Sequence, residues 1–212
     1  MPGQDAVFTV ILCGGEARRL GGLDKTLIEI GGIPILSHIL ARLQPAAGSV
    51  AISANGNPGR FEPFGLPVIR DRHAGIGPLA GLLRALEWAA DLGAASLLTV
   101  PGDTPFVPER LAQALSPAPS VAVSGGRRHH LVALWPVSWR GALERHLHAL
   151  DAAGGARRGY GVRAFAEAMG IRLVEFPAVP FDPFFNVNTP EDRAEAERLF
   201  TARRCAPAPP PG

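Results

Sequence analysis

Val7-Phe8-Thr9-Val10-Ile11-Leu12 runs straight into Cys13-Gly14-Gly15-Glu16-Ala17-Arg18-Arg19-Leu20-Gly21-Gly22-Leu23-Asp24-Lys25, and the junction between these halves decides the fold. The first half is a β-branched apolar run of strand length that stops at a glycine pair, as a buried strand does. In the second half, glycines at 14, 15, 21 and 22 let backbone N–H groups approach an anion closely, while Arg18, Arg19 and Lys25 add positive charge. The spacing is neither G-x-G-x-x-G nor the Walker pattern, because no Ser or Thr follows a Gly-Lys pair. A solvated surface loop could share this composition, so the weight of the motif comes from its surroundings.

Outward from this loop the chain alternates strands and helices. Ile35, Leu36, Ile39, Leu40 and Leu43 recur at helical spacing behind Pro34. Val50–Ser53 and Leu66–Ile69 read as strands, and a helix opens at Gly77-Pro78 with Leu79, Leu82, Leu83 and Leu86 on one face. Ser96–Val100 is a buried strand ending at Pro101-Gly102-Asp103, and a short helix follows Pro108. This order predicts an α/β fold, a mostly parallel sheet covered on both faces. Ligands of such sheets gather at the carboxyl ends of the strands, so Gly14-Gly15, Ser53, Asp71 and Asp103 are expected to converge on one rim.

Beyond residue 120, Val121–Val123 and Val132–Trp135 read as strands flanking a basic turn from Gly125 to His130. Helices are expected over Ser138–Leu150 and Val162–Met169, and a strand over Arg172–Phe176. Thr189-Pro190-Glu191-Asp192 is a helix start: a threonine cap, proline in the first turn, then carboxylates at the positive end. No repeat or composition break divides the chain, so residues 1–201 are expected to form one domain and 202–212 a disordered tail rich in Pro and Ala.

Composition narrows the functional classes. With 212 residues and 47% hydrophobic content the chain can bury a substantial core, and a net charge of +2 argues against a nucleic-acid coat. The start Met1–Asp5 does not resemble a signal peptide, apolar runs are too short to span a bilayer, and the cysteines (Cys13 and Cys205) suggest no disulfide framework. A cytoplasmic protein without membrane or nucleic-acid partners is therefore expected. Of the 21 basic Lys and Arg residues, Lys25 alone is lysine. A lone lysine would fall between Gly14 and Lys25 by chance about one time in twenty, and lysine's compact point charge is not interchangeable with arginine's planar fork.

Strand followed by L-x-G-G-x-x-x-R-x-G-G-x-D-K resembles the signature of the molybdenum cofactor guanylyltransferases. Gly77-Pro78-Leu79-Ala80-Gly81 is similar to that family's second block, Asp103-Thr104-Pro105-Phe106 to its third, and Asp182-Pro183-Phe184-Phe185-Asn186-Val187-Asn188-Thr189-Pro190-Glu191-Asp192 to its closing block. The resemblance implies a three-layer, Rossmann-like nucleotidyltransferase fold. It also implies a magnesium-dependent transfer of GMP from GTP to the terminal phosphate of molybdopterin, with other molybdenum cofactor biosynthesis proteins as partners. By position, Leu12, Cys13 and Gly14 would lie against guanine and ribose, with Lys25 on the phosphates. Asp71 would contact the nucleotide, Asp103 would hold the metal, and Asn186 and Asn188 would face the pterin. Gly15 and Arg19 would join Lys25 in neutralising charge at the reacting phosphate.

The chain departs from the family pattern at three places. Cys13 stands where alanine is usual, Ser53 where an asparagine reads the base, and His130-Leu131 where His-Pro is common on the substrate side. Asn55, two residues beyond Ser53, would share its face in an extended strand and is the substitute base reader. The bland readings are a turn aspartate for Asp103, turn chemistry for Asn186 and Asn188, and solvated charge for Arg157-Arg158. Cytidylyl transfer to the same pterin or another phosphorylated small molecule, and a nucleotide-binding adaptor without chemistry, are the alternative functions.

Overall fold

The computed structural model describes residues 6–13, 24–44, 49–70, 78–152 and 161–205, the last three as backbone only. The Val7–Leu12 run forms β1, an interior strand of a seven-stranded sheet. Its neighbours are β4 (Val50–Ser53) on one side and β6 (Ser96–Pro101) on the other, both parallel. The short hairpin strands β2 (Glu29–Ile30) and β3 (Ile33–Pro34) form a separate pair that the sequence reading did not anticipate. Adding β5 (Val68–Ile69), β7 (Ser120–Ser124), β8 (Arg127–Pro136) and β9 (Arg172–Phe176) gives the order β5-β4-β1-β6-β8-β7-β9. Strand β8 runs against both of its neighbours, and the others share one direction, so the expected mostly parallel α/β sheet is observed.

Side-chain alternation explains the layers. Phe8 and Val10 of β1, Leu97 of β6, and Ala133 and Trp135 of β8 enter one apolar core, roofed by α2 (Pro78–Asp91), α4 (Arg140–Ala152) and α5 (Val162–Ala168). Ile11, Leu98, Val100, Val132 and Leu134 enter the other, which receives Ile35, Leu36 and Ile39 of α1 (Ile35–Leu43) and Leu111 and Leu115 of α3 (Leu111–Leu115). A period of two on strands buried on both faces makes each strand a shared floor for two cores. Helix α6 (Pro190–Cys205) closes the second face, and its last turn occupies residues beyond 201. Its start follows the expected pattern: Thr189 Oγ1 accepts from Asp192 N–H at 3.1 Å, while Asp192 Oδ2 accepts from the Asn188 and Thr189 amides at 2.9 Å each.

The basic turn expected from Gly125 to His130 is shorter in the structure. Only Gly125 and Gly126 form the turn between β7 and β8, with φ of +54° and +75°, and Arg127 to His130 already belong to β8. Two successive residues at positive φ make the tight two-residue hairpin that matches strand twist, so the basic residues are drawn into the ladder, Ser124 opposite Arg127.

The chain leaves β1 toward β4 and later returns on the other side at β6. The order of strands therefore reverses at β1, and the crevice outside its carboxyl end is where such sheets take ligands.

Candidate functional site

Three strand ends meet at that crevice. Leu12 lies opposite Ser53 on β4 and Pro101 on β6. Beyond them Cys13 N–H donates to Ser53 O at 2.8 Å, and Gly102 N–H to Leu12 O at 3.0 Å, so the ladders run to the very rim. Cys13, Ser53 and Asp103 thus converge as the strand order requires. Gly14, Gly15, Arg18, Arg19, Asp71 and Arg157-Arg158 lie outside the described residues.

The residues just after the glycine-rich stretch of sequence are seated by close packing. Lys25–Leu27 form one 3-10 turn, capped by Asp24, whose Oδ1 accepts from Thr26 N–H at 3.1 Å. Thr26 is buried against Gly102, where an added Cβ would come within 2.9 Å of Thr26 Oγ1 and 3.0 Å of Cys13 Sγ. A glycine at 102 is what lets this turn dock on the ends of β1 and β6. Cys13 also hydrogen-bonds to Thr26, but burial dominates and pushes its thiol up to about 12, leaving a neutral, unreactive packing group.

Arg60 adds a brace absent from the sequence reading. It lies on a 3-10 segment, Pro58–Phe64, capped by Asn57. Its Nε donates to Asp24 Oδ2 at 2.7 Å and its Nη2 to Asn55 O at 2.9 Å, with the guanidinium 4.5 Å over the Phe61 ring. Arg60 therefore ties the Asp24–Lys25 turn to the segment beyond β4. Nothing in the sequence separates it from the other arginines, because its partner is 36 positions away.

Asn186 and Asn188 provide the decisive contacts. Asn186 Nδ2 donates to Asp103 Oδ1 at 2.7 Å, and Lys25 Nζ donates to Asn188 Oδ1 at 2.5 Å. Between them Val187 is fully buried and its N–H donates to Asp103 O at 2.9 Å. Residues i and i+2 of an extended segment share a face, which is how one strip of backbone reaches both charged groups. Turn chemistry and site contact coexist here: the Asn188 amide serves the α6 cap while its side chain serves Lys25. Burial pushes the Asp103 carboxyl above its ordinary 3.8, opposed by the Asn186 hydrogen bond, the Lys25 charge, its own backbone amide and Arg127.

The base-reading candidates separate. Ser53 is buried at the end of β4, whereas the strand stops there and Asn55 is exposed beyond it. His130 is separated from these groups by side-chain alternation rather than by distance along β8. It alternates with His129 on β8, faces α5, and lines an open depression with Arg128, Glu167, Gly170, Ile171 and Leu173.

Among the described residues no group of three or more His, Cys, Asp or Glu side chains could hold a metal. Magnesium asks for less: it is commonly held by one or two carboxylates, with phosphate oxygens and water completing the shell. Asp103, a partly buried oxygen donor whose ionised form is disfavoured by burial, fits that requirement. No described helix is long and apolar enough to cross a membrane.

The sequence matches the family described as MobA-like NTP transferase domain over residues 9–174. It is 49% identical over 205 residues to a molybdenum cofactor guanylyltransferase of Acidiphilium cryptum, covering 96% of this chain and 98% of the relative. A protein of the same name from Cereibacter sphaeroides is 47% identical over 198 residues, with 92% and 97% covered. Among solved structures, molybdopterin-guanine dinucleotide biosynthesis protein A of Archaeoglobus fulgidus superposes with a TM-score of 0.65 at 22% identity, covering 92% of this chain and 98% of that one.

Proposed function

The chain belongs to the molybdenum cofactor guanylyltransferases of the MobA-like NTP transferase family, and from that membership we propose that it transfers GMP from GTP to the terminal phosphate of molybdopterin. It is a nucleotidyl-transferring enzyme. The observation that best supports the assignment of roles is that Lys25, on the turn docked at Gly102, and Asp103, just past β6, are each held by one asparagine of a single strip.

The attacking group is the acceptor's own phosphate, already ionised at neutral pH, so no general base is required. Its oxygen bonds to the α-phosphorus of GTP as the bond to the β-phosphate oxygen breaks, and pyrophosphate leaves. Catalysis is then alignment and charge stabilisation. Lys25 is assigned to the triphosphate, where its compact ammonium neutralises charge, with Arg19 and the Gly14 and Gly15 amides beside it. Leu12, Cys13 and Gly14 are assigned to guanine and ribose, and Asp71 to the nucleotide. Asp103 would hold magnesium, which supplies Lewis-acid stabilisation of phosphate charge when bound. Asn186 and Asn188 are assigned to the pterin side, and their contacts give them a second task, orienting Asp103 and Lys25. The sparing use of cysteine supports a reducing cytoplasm as the site of the reaction.

Guanine preference is expected to depend on Ser53 rather than Asn55, because buried polar groups left unpaired are what reject a wrong base. Turnover measured with GTP, CTP and ATP is expected to favour GTP, and Ser53→Ala is expected to erode that preference more than Asn55→Ala. Equal turnover of the three nucleotides would remove the guanine assignment, and a preference for CTP would make the protein a cytidylyltransferase.

A further inference from the structure

Asn186 and Asn188 can orient Lys25 and Asp103 only if the strip that carries them is itself held, and the strip begins at Asp182. Asp182 Oδ1 accepts two hydrogen bonds, from Ser124 Oγ at 2.6 Å and from Phe184 N–H at 2.8 Å. The Ser124 hydroxyl has a single proton, which goes to Asp182, so it accepts from His129 Nε2 at 2.7 Å. His129 is thereby the donor at Nε2, and burial lowers its pKa against the pull of Asp182. Its ring lies 4.8 Å from that of Phe184, which is fully buried and meets Phe176 edge-on at 5.1 Å.

Ser, His and Asp together suggest a hydrolytic triad, but the wiring excludes one. In a triad the aspartate orients the histidine and the histidine takes the serine proton. Here the serine proton goes to the aspartate, and the serine is 1% exposed. The three groups instead bolt the start of the closing block to the β7–β8 hairpin. The Thr189–Asp192 cap bolts its other end, and the Val187 amide pins its middle to Asp103.

We propose that Ser124, His129 and Asp182 are positioning residues of the transfer site, acting through the 182–188 strip to set Asn186 against Asp103 and Asn188 against Lys25. The inference rests on the transfer reaction proposed above for its kinetic consequence, but its structural content can be read separately. Because Lys25 is the chain's sole lysine, an amine-acylating reagent followed by peptide mass spectrometry reports on that one side chain.

The test compares wild type, Asp182→Ala and Asp182→Asn in the full chain. Asparagine retains a carbonyl oxygen that can accept both hydrogen bonds, and alanine retains none. Asp182→Ala is expected to acylate at Lys25 several-fold faster than wild type. Its kcat is expected to fall by about tenfold to a hundredfold with KM for GTP changed far less, because alignment rather than binding is lost. Asp182→Asn is expected to restore both. Should Asp182→Ala not fold, Ser124→Ala, which leaves the Asp182–Phe184 turn intact, replaces it with the same expectations. Wild-type labelling and kcat in the folded alanine variant would overturn the proposal, as would an asparagine variant as impaired as alanine. A wild-type protein with no transfer activity would overturn the reaction instead, leaving the labelling comparison to decide the positioning role.

Discussion

Lys25→Arg is expected to lower the rate of transfer by about a hundredfold, the scale of loss for a reacting group misplaced by about 1 Å. Composition alone predicts the opposite, since arginine serves at every other Lys or Arg position of the chain. The site explains the difference. Lys25 begins a 3-10 turn packed onto Gly102, and its Nζ meets Asn188 Oδ1 at 2.5 Å, close enough to Asp103 to influence its ionisation. A guanidinium is longer, planar and forked, so it cannot put its charge where the ammonium sits without displacing Asn188 or the triphosphate. Thermal stability should barely change, because the side chain is only partly buried. Steady-state kinetics and a melting curve on the same variant check this. Wild-type kinetics would make the lone lysine an accident of base composition.

Asp103→Asn is expected to reduce magnesium-dependent transfer by about a thousandfold or more, since a neutral amide is a poor anchor for a hard cation. The same variant is expected to melt at a higher temperature than wild type in metal-free buffer at neutral pH. The carboxyl's folded pKa is raised by burial, so the ionised form is less stable in the folded state than in the unfolded one. Wild type is therefore at its relative best below the ordinary 3.8 and loses that advantage as pH rises through the raised folded value. Asparagine keeps an acceptor for Asn186 without the charge, so its gain should be present at neutral pH and vanish in acid. Near-normal transfer at ordinary magnesium would remove the metal assignment. A lower melting temperature at neutral pH would show that Lys25 and Asn186 more than offset the cost of burying the charge.

Fold and site were legible to different depths, for physical reasons. β1 and β6 are short apolar runs buried on both faces, so their type and parallel direction followed from pattern, whereas their adjacency is a matter of topology. The start of α6 was equally plain, because a cap is local chemistry within four residues. Lys25 and Asp103 stood out for the same reason: each closes a local motif. Asn186 and Asn188 were candidates for the pterin side, but their pairing with these two charged groups was not legible. Lys25 meets Asn188 across 163 positions and Asp103 meets Asn186 across 83, and no spacing rule reaches that far. In the β7–β8 hairpin four basic residues in a row imply a solvated turn, yet they belong to β8. His129 is buried only because Ser124 receives its hydrogen bond and Phe184 its ring.

Guanylyl transfer to the pterin is read by incubating the protein with GTP labelled at the α-phosphate, magnesium and molybdopterin, then following both the label and pyrophosphate. Label is expected to move into a pterin–guanine dinucleotide, with one pyrophosphate released for each product formed and none without the acceptor. Label recovered as free GMP, or remaining in GTP while the folded protein binds it, would rule out guanylyl transfer to the pterin.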